Sequence, residues 1–435
     1  MSGGRGTGAP GRRTLFQAFR DNEDWRRLYA ARTVSLFGDW FNALAIVHLL
    51  GRGRYDSALP LAVVFALKQL PVFLFGPLAG VVADRFNRKK ILISCDLLAS
   101  VIVLFFLLAG HAGSDSWLYV LTAAQITIAA FAEPARQALT PSLVRREDLL
   151  SANTLSSATW STMFTLGSAA GSLVLAAVGW EAAILLDACT YVVSAWILTG
   201  LPIRATDAPA RPPRDSGEGA GALSRLLGLE DVKEGLRYIA GDRRVFRLIL
   251  VKFGWGSMGA ITLFLTLLGA SEGFRLGGSA DLGIGFLWTC RGIGTGLGPF
   301  LARGWAGGDP RRLEHSLTLA FFGAPLVYMG VALSGTWWLA GFLVFLAHLG
   351  GSTLWVISTV LLQMTVPPEV RGRTFAAELG LVMLSSTGSH LVYASLLDFG
   401  GLGLTATMLC ASTLCLIPAV LWLWSGRKLA ASCVS

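Results

Sequence analysis

The sequence predicts an all-α membrane protein: about twelve transmembrane helices in two pseudo-symmetric six-helix bundles. Three observations carry this expectation. The 435-residue chain is 53% hydrophobic and only 14% charged, with mean hydropathy +0.59. Soluble domains carry about 25% charged residues, so this composition cannot coat a globule in water. Apolar stretches of spanning length recur along the chain, and the basic residues gather in alternate connections.

Residues 1–27 are polar, basic and Gly-rich, without the apolar run and small-residue cleavage site of a secretory signal. They read as a cytoplasmic tail. Apolar stretches of about 20 residues mark spans, and these are expected near 28–50, 58–83, 90–110, 116–139, 152–178 and 180–201. Residues 28–201 thus form the first bundle. Residues 202–244 are a linker that opens with "RATDAPARPPRDSGEGAG". It continues with Leu223, Leu226, Leu227, Val232, Leu236 and Ile239 near one helical face, a pattern for an amphipathic helix on the membrane surface. Six more spans are expected near 245–270, 281–303, 313–334, 336–362, 374–398 and 402–425. They make 245–425 the second bundle and 426–435 a tail.

The formal charge of +9 and pI near 9.5 do not call for nucleic acid, because Lys and Arg concentrate on cytoplasmic loops of membrane proteins. With the N-terminus inside, cytoplasmic segments hold about 29 of the 36 basic residues, and outer loops hold Arg52, Arg54 and Arg275. Both termini are therefore expected in the cytoplasm, with the chain in a plasma membrane, the inner membrane of a bacterium. Cysteines at 95, 189, 290, 410, 415 and 433 have no metal-ligand spacing and suggest no disulfide framework. The five histidines are scattered, and no G-x-S-x-G elbow or phosphate-cradling loop is present. No enzyme activity, metal, cofactor or direct ATP drive is expected.

The chain also repeats. Shifted by 222 positions, Gly76 and Pro77 fall on Gly298 and Pro299, and Lys89 and Lys90 on Arg311 and Arg312. Shifted by 226, Gln137, Pro141, Val144 and Arg145 fall on Gln363, Pro367, Val370 and Arg371. Two duplicated halves are the build of many secondary transporters.

Together with the six-plus-six pattern, the stretch "GPLAGVVADRFNRKK" resembles the signature loop between spans 2 and 3 of the major facilitator superfamily. Gly80, Asp84, Arg85, Arg88 and Lys89 occupy the expected places, and Asn87 stands where that family usually has glycine. The resemblance implies alternating access, a monomer, and a cytoplasmic latch between the halves in the outward-facing state. In that latch Asp84 would meet the N-terminus of span 11, where free N–H groups favour an anion. Arg85 and Arg88 would pair with acidic neighbours, Asp96 and Glu133 being the candidates. The basic residues also serve as a topology signal. "EPARQALTPSLVRREDLLSAN", "LLDACTYVVSAW" and "VPPEVRGRTF" further resemble the drug- and siderophore-exporter branch that includes the enterobactin and macrolide exporters.

An ionisable residue inside a span is costly and marks a candidate site. Asp39, Lys68 and Arg291 fall near mid-depth of spans 1, 2 and 8. Three readings stay open. Asp39 is a proton site, its hold on the proton changing with burial and neighbouring cations as the protein moves. Alternatively, Lys68 and Arg291 bind an anionic substrate group, Arg offering a bidentate fork. Or the three form a structural salt bridge or snorkel to the interface. His348 and His390 are either packed histidines or lining of the substrate cavity, and Asp187 ties span 6 to a neighbour. Arg32, Lys252 and Glu378 lie near cytoplasmic ends, where snorkelling is easy. Gly167 and Gly171 have the spacing of close helix packing. The function expected is proton-coupled export of amphiphilic small molecules. The alternatives are exchange or facilitated transport of an organic or lysolipid-like anion, or a non-transporting receptor or scaffold. The expected partners are the substrate, protons and the lipid bilayer.

Overall fold

The computed structural model describes residues 19–51, 55–145, 148–202, 229–306 and 309–432. Among these the chain is helical almost throughout, in the order α1 (Glu23–Gly51), α2 (Leu59–Leu67), α3 (Leu70–Arg85), α4 (Arg88–Ala112), α5 (Asp115–Leu143), α6 (Leu149–Val178) and α7 (Trp180–Thr199). The remainder runs α8 (Leu229–Gly241), α9 (Arg243–Gly256), α10 (Ile261–Ala270), α11 (Ala280–Ala306), α12 (Pro310–Ala332), α13 (Trp337–Thr365), α14 (Pro368–Asp398) and α15 (Leu404–Ser432). Among the described residues, eleven stretches are long and apolar enough to cross a membrane. The twelfth crossing is α11, whose glycines and Arg291 dilute its hydropathy; it packs along both α6 and α13.

Polar residues at the short connections set the helix ends. Asn22, Ser114, Asp242 and Asp309 each accept a hydrogen bond from a first-turn backbone N–H, which answers a donor that the helix itself leaves orphaned. Asn87 does the same for α4, accepting from the Lys90 N–H at 3.0 Å. The departure from glycine in the signature loop is thus a helix cap. Gly113 ends α4 with φ 62°, a conformation that costs glycine little.

Two expected single helices are broken. The stretch expected at 58–83 divides at Lys68–Gln69 into α2 and α3, because Pro71 lacks an N–H and its ring clashes with the carbonyl four residues back, at Leu67. The stretch expected at 245–270 divides at 257–260 into α9 and α10, and Gly259 there lies directly against Ser386 of α14. The amphipathic α8 docks on α14. Gly235 abuts the Arg373 carbonyl, Glu234 pairs with Arg373 at 2.5 Å, and Ile239 is buried. Leu223, Leu226 and Leu227, and the Val232 side chain, lie outside the described residues.

In the first half α1 packs on α6 and α7, and α4 on α5 and α7. In the second, α13 packs on α11 and α12, and α9 contacts α13, α14 and α15. Across the halves the main contacts are α6 with α11 and α2 with α14. Gly167 and Gly171 of α6 face Trp40 and Leu44 of α1, inside the first half. The stripe Gly285, Gly292 and Gly296 of α11 faces Ser172, Thr165 and Ser161 of α6 across the halves.

The side of the bundle opposite the start of α1 and the end of α15, the far side, carries cross-half hydrogen bonds. Asp398, at the end of α14, accepts from Ser57 Oγ (2.6 Å), the Ala58 N–H (2.8 Å) and the Leu59 N–H (2.9 Å) at the start of α2. His48 Nδ1 of α1 meets both carboxylate oxygens of Asp281 of α11 at 3.0 Å. A carboxylate at a helix N-terminus satisfies exposed N–H groups and suits the helix dipole, so α14 caps α2 from the other half.

Candidate functional site

Asp39 sits in the middle of α1, partly buried. Its Oδ1 accepts a 2.5 Å hydrogen bond from the buried Tyr191 hydroxyl of α7. That hydroxyl accepts in turn from Gln125 Nε2 of α5 at 3.5 Å, and Gln125 Oε1 accepts from Asn42 Nδ2 at 2.9 Å. Asn42 is three residues from Asp39 and so on the same helix face. The polar line therefore returns to α1 and fixes the carboxylate across three spans. Gly38, beside it, lets α7 approach: a Cβ there would fall on Thr190 and within 2.6 Å of Asp187 Oδ1. Asp187 is fully buried, and its Oδ2 meets no donor.

Lys68 lies at the break between α2 and α3, half-buried, in the field of Asp39 and Asp187. The next residue reaches across to the other half. Gln69 Nε2 donates to Ser386 Oγ of α14 at 3.0 Å, and the Ser386 carbonyl faces His390 Nδ1 at 2.8 Å. The break thus sets Gln69 against the other bundle directly beside Lys68, which lies in the field of the first half's Asp39 and Asp187.

Arg291 does not join this group. Its Nη1 donates to Thr262 Oγ1 at 2.5 Å, and its guanidinium lies 5.4 Å from the Phe164 ring centre. Among the described residues no carboxylate pairs with it. Its electrostatic neighbours are Tyr328, His348 and His390. His348 Nε2 is 2.6 Å from the Tyr328 hydroxyl, with Nδ1 3.4 Å from Thr295 Oγ1. The three mid-depth charges therefore divide, Lys68 with two carboxylates on the first half and Arg291 with two histidines and a tyrosine on the second.

Between these groups lies an aromatic set that the sequence did not single out. Trp40 stacks on Phe164 at 4.2 Å between centroids and meets Trp288 edge-on at 6.3 Å. Phe65 links Trp288 (6.3 Å) to His390 (5.5 Å). Trp40 adjoins Asp39, and Trp288 lies one turn before Arg291; that adjacency is the only signal the chain offers.

The signature-loop residues all lie in the first half. Arg85 is exposed and Gly80 has open space around it; the Asp84 side chain lies outside the described ones. Arg88 donates to the carbonyls of Ala138 (3.2 Å) and Ala83 (3.4 Å), and Lys89 to those of Thr199 (2.7 Å) and Leu201. The expected pairing of Arg85 and Arg88 with Asp96 and Glu133 is not made. Asp96 lies eight residues along α4 from Arg88, about 12 Å away at the helical rise, and accepts from Ser194 Oγ at 2.6 Å. Glu133 is taken by Arg32 (3.6 Å) and Arg136 (3.7 Å). Nor do Lys252 and Glu378 snorkel. They form a 2.9 Å ion pair with both side chains 5% exposed, and Lys252 also donates to Thr359 Oγ1 at 2.8 Å.

Two six-span halves joined by a broken helix pair and a glycine stripe, with charges at mid-depth between them, define a membrane transporter rather than an enzyme. The chain belongs to the Major Facilitator Superfamily, whose family model matches residues 28–387. It is 26% identical over 430 residues to the "Uncharacterized MFS-type transporter YfiS" of Bacillus subtilis, covering 95% of both chains. It is 27% identical over 226 residues to macrolide efflux protein A of Streptococcus pyogenes, covering 52% of this chain and 53% of that one. Among solved structures, the nucleoside transporter NupG superposes with TM-score 0.64 at 12% identity, covering 92% of this chain and 99% of that one.

Proposed function

We propose that this transporter is a proton-coupled exporter of amphiphilic small molecules, working by alternating access with Asp39 as the protonatable group. The observation that carries this reading is the Asp39 constellation: a partly buried mid-depth carboxylate, anchored by Tyr191, with Lys68 in its field at a helix break. Charged, Asp39 holds the Lys68 side of the break to the first half. Neutralised by a proton, it loosens that hold, while Gln69 stays tied to Ser386 across the halves. A proton can thereby bias which half the break follows, and the two states differ in how the halves meet. The likeness to macrolide efflux protein A supports the outward direction.

With both termini cytoplasmic, as the basic-residue bias argues, the far side is the outer side. Its contacts at Asp398 and His48 then support an inward-facing state; this reading has the protein work as a monomer in a bacterial inner membrane. Asp84, Arg85, Arg88 and Lys89 would latch the cytoplasmic side in the opposite state, which fits Arg88 and Lys89 being spent on first-half carbonyls here.

The test uses purified protein in proteoliposomes with an internal pH dye and a panel of cationic, neutral and anionic amphiphiles. The expected outcome is substrate-triggered proton movement in the wild type that disappears in Asp39→Asn. Proton movement that survives in a folded Asp39→Asn overturns the assignment of Asp39, and none with any ligand overturns proton coupling.

A further inference from the structure

Among the described residues, four buried nitrogens between the halves meet no partner: Arg291 Nε, Trp40 Nε1, Trp288 Nε1 and His390 Nε2. Trp288 and His390 are only 2% and 3% exposed. All four border one aromatic frame, since Phe164 lies against Trp40, Trp288 and Arg291, and Phe65 bridges Trp288 to His390. Indole and guanidinium nitrogens donate and never accept, while imidazole offers either role. A buried donor left unmet is costly, more so when charged. Several on one frame are disfavoured unless something with acceptor oxygens occupies the place.

We propose that the substrate carries an oxyanion, of carboxylate type, received by Arg291 and the Trp288 indole N–H, with an aromatic or flat apolar body laid against Trp40 and Phe164. This names the substrate class for the exporter reading above and rests on it. Charge decides between an anion and a cation. The first-half carboxylate Asp39 is answered by Tyr191, and both first-half carboxylates lie in the field of Lys68. Arg291 has one hydroxyl, from Thr262, and no carboxylate among the described residues. A partly buried guanidinium without a counter-charge is costly, and an anionic ligand removes that cost with bidentate, charge-assisted hydrogen bonds. The rings on either side supply the amphiphile's other face, and a guanidinium over Phe164 keeps the fork rigid.

The test is calorimetric titration of the purified full-length protein in lipid nanodiscs with three probes sharing one body: 2-naphthoate, 2-naphthamide and 2-(aminomethyl)naphthalene. The expected result is naphthoate binding about tenfold or more tighter than either other probe, shrinking to within about threefold in Arg291→Gln. Trp288→Phe, which keeps most of the ring surface and removes the N–H, should weaken naphthoate several-fold. Trp338→Phe, on the exposed surface, should not. Equal affinities, a preference for the amine, or no saturable naphthoate binding in the wild type would each overturn the proposal without any variant. So would a naphthoate preference that persists in a folded Arg291→Gln or, should that variant not fold, in Arg291→Ala. The two readings fail separately. Proton movement driven by a cationic amphiphile, with no naphthoate preference, removes the oxyanion site and leaves the exporter. Naphthoate preference with no proton movement removes the coupling and leaves the site.

Discussion

Lys252 of α9 and Glu378 of α14 stand 2.9 Å apart with almost no access to water. Removing two charges from water costs several kcal/mol per ion, and mutual attraction repays it only while both partners are present. Glu378→Gln should therefore destabilise the protein by about 3–5 kcal/mol, whereas Lys252→Met with Glu378→Leu should cost far less. Thermal unfolding of the detergent-purified variants, followed by tryptophan fluorescence, checks both. A single variant as stable as the double one would show that the pair is hydrated and contributes little. Each residue alone looked like a snorkelling side chain near a helix end, because nothing in the chain between them says that α9 and α14 turn these faces together. Asp39 was more legible. A carboxylate in an apolar run declares itself, although Tyr191, Gln125 and Asn42, which hold it, are ordinary core residues until the spans assemble.

At the scale of elements, the contact between α6 and α11 depends on missing side chains. A Cβ at Gly292 would lie 2.5 Å from Thr165 Oγ1 and 3.0 Å from the Thr165 Cα, closer than packed atoms tolerate. Gly292→Leu should wedge the halves apart, cost about 1–3 kcal/mol from overpacking, and reduce transport to background while the protein still inserts. Gly76→Ala, where a Cβ meets nothing within 4 Å, should leave both unchanged. Efflux from loaded vesicles and size-exclusion profiles separate these outcomes. The glycine density of α11 was visible in the chain, but not that one stripe serves α6 across the halves while Gly294 and Gly298 serve α13. Spanning lengths were also visible. The breaks at Lys68–Gln69 and 257–260 were not, since a hydropathy window averages over a kink such as the one that Pro71 introduces.

Over the whole molecule, the far side is held by a carboxylate of one half capping a helix of the other, and by His48 against Asp281. Asp398→Ala removes the acceptor for three donors and should shift the population toward a state open on the far side. Spin labels at Trp117 and Phe399, both exposed and on opposite halves, report it. A longer-distance population is expected in Asp398→Ala and should be absent in Arg88→Ala, whose partners lie within its own half. An unchanged distance distribution in Asp398→Ala would mean that the cap does not hold the halves.

By itself the sequence determined the number and order of spans, the two-half duplication, the signature loop and the presence of three charges at mid-depth. These are properties of local composition, and the absence of water in hydrocarbon leaves a long apolar stretch few alternatives to a spanning helix. Only the tertiary structure decided which groups become neighbours. Lys68 comes into the field of Asp39 and Asp187, while Arg291 lies against an aromatic frame and Asp398 reaches the start of α2, through contacts between distant parts of the chain. Hydropathy is blind to the rotation of a helix about its axis, and that rotation, set by packing, chooses every partner in the site.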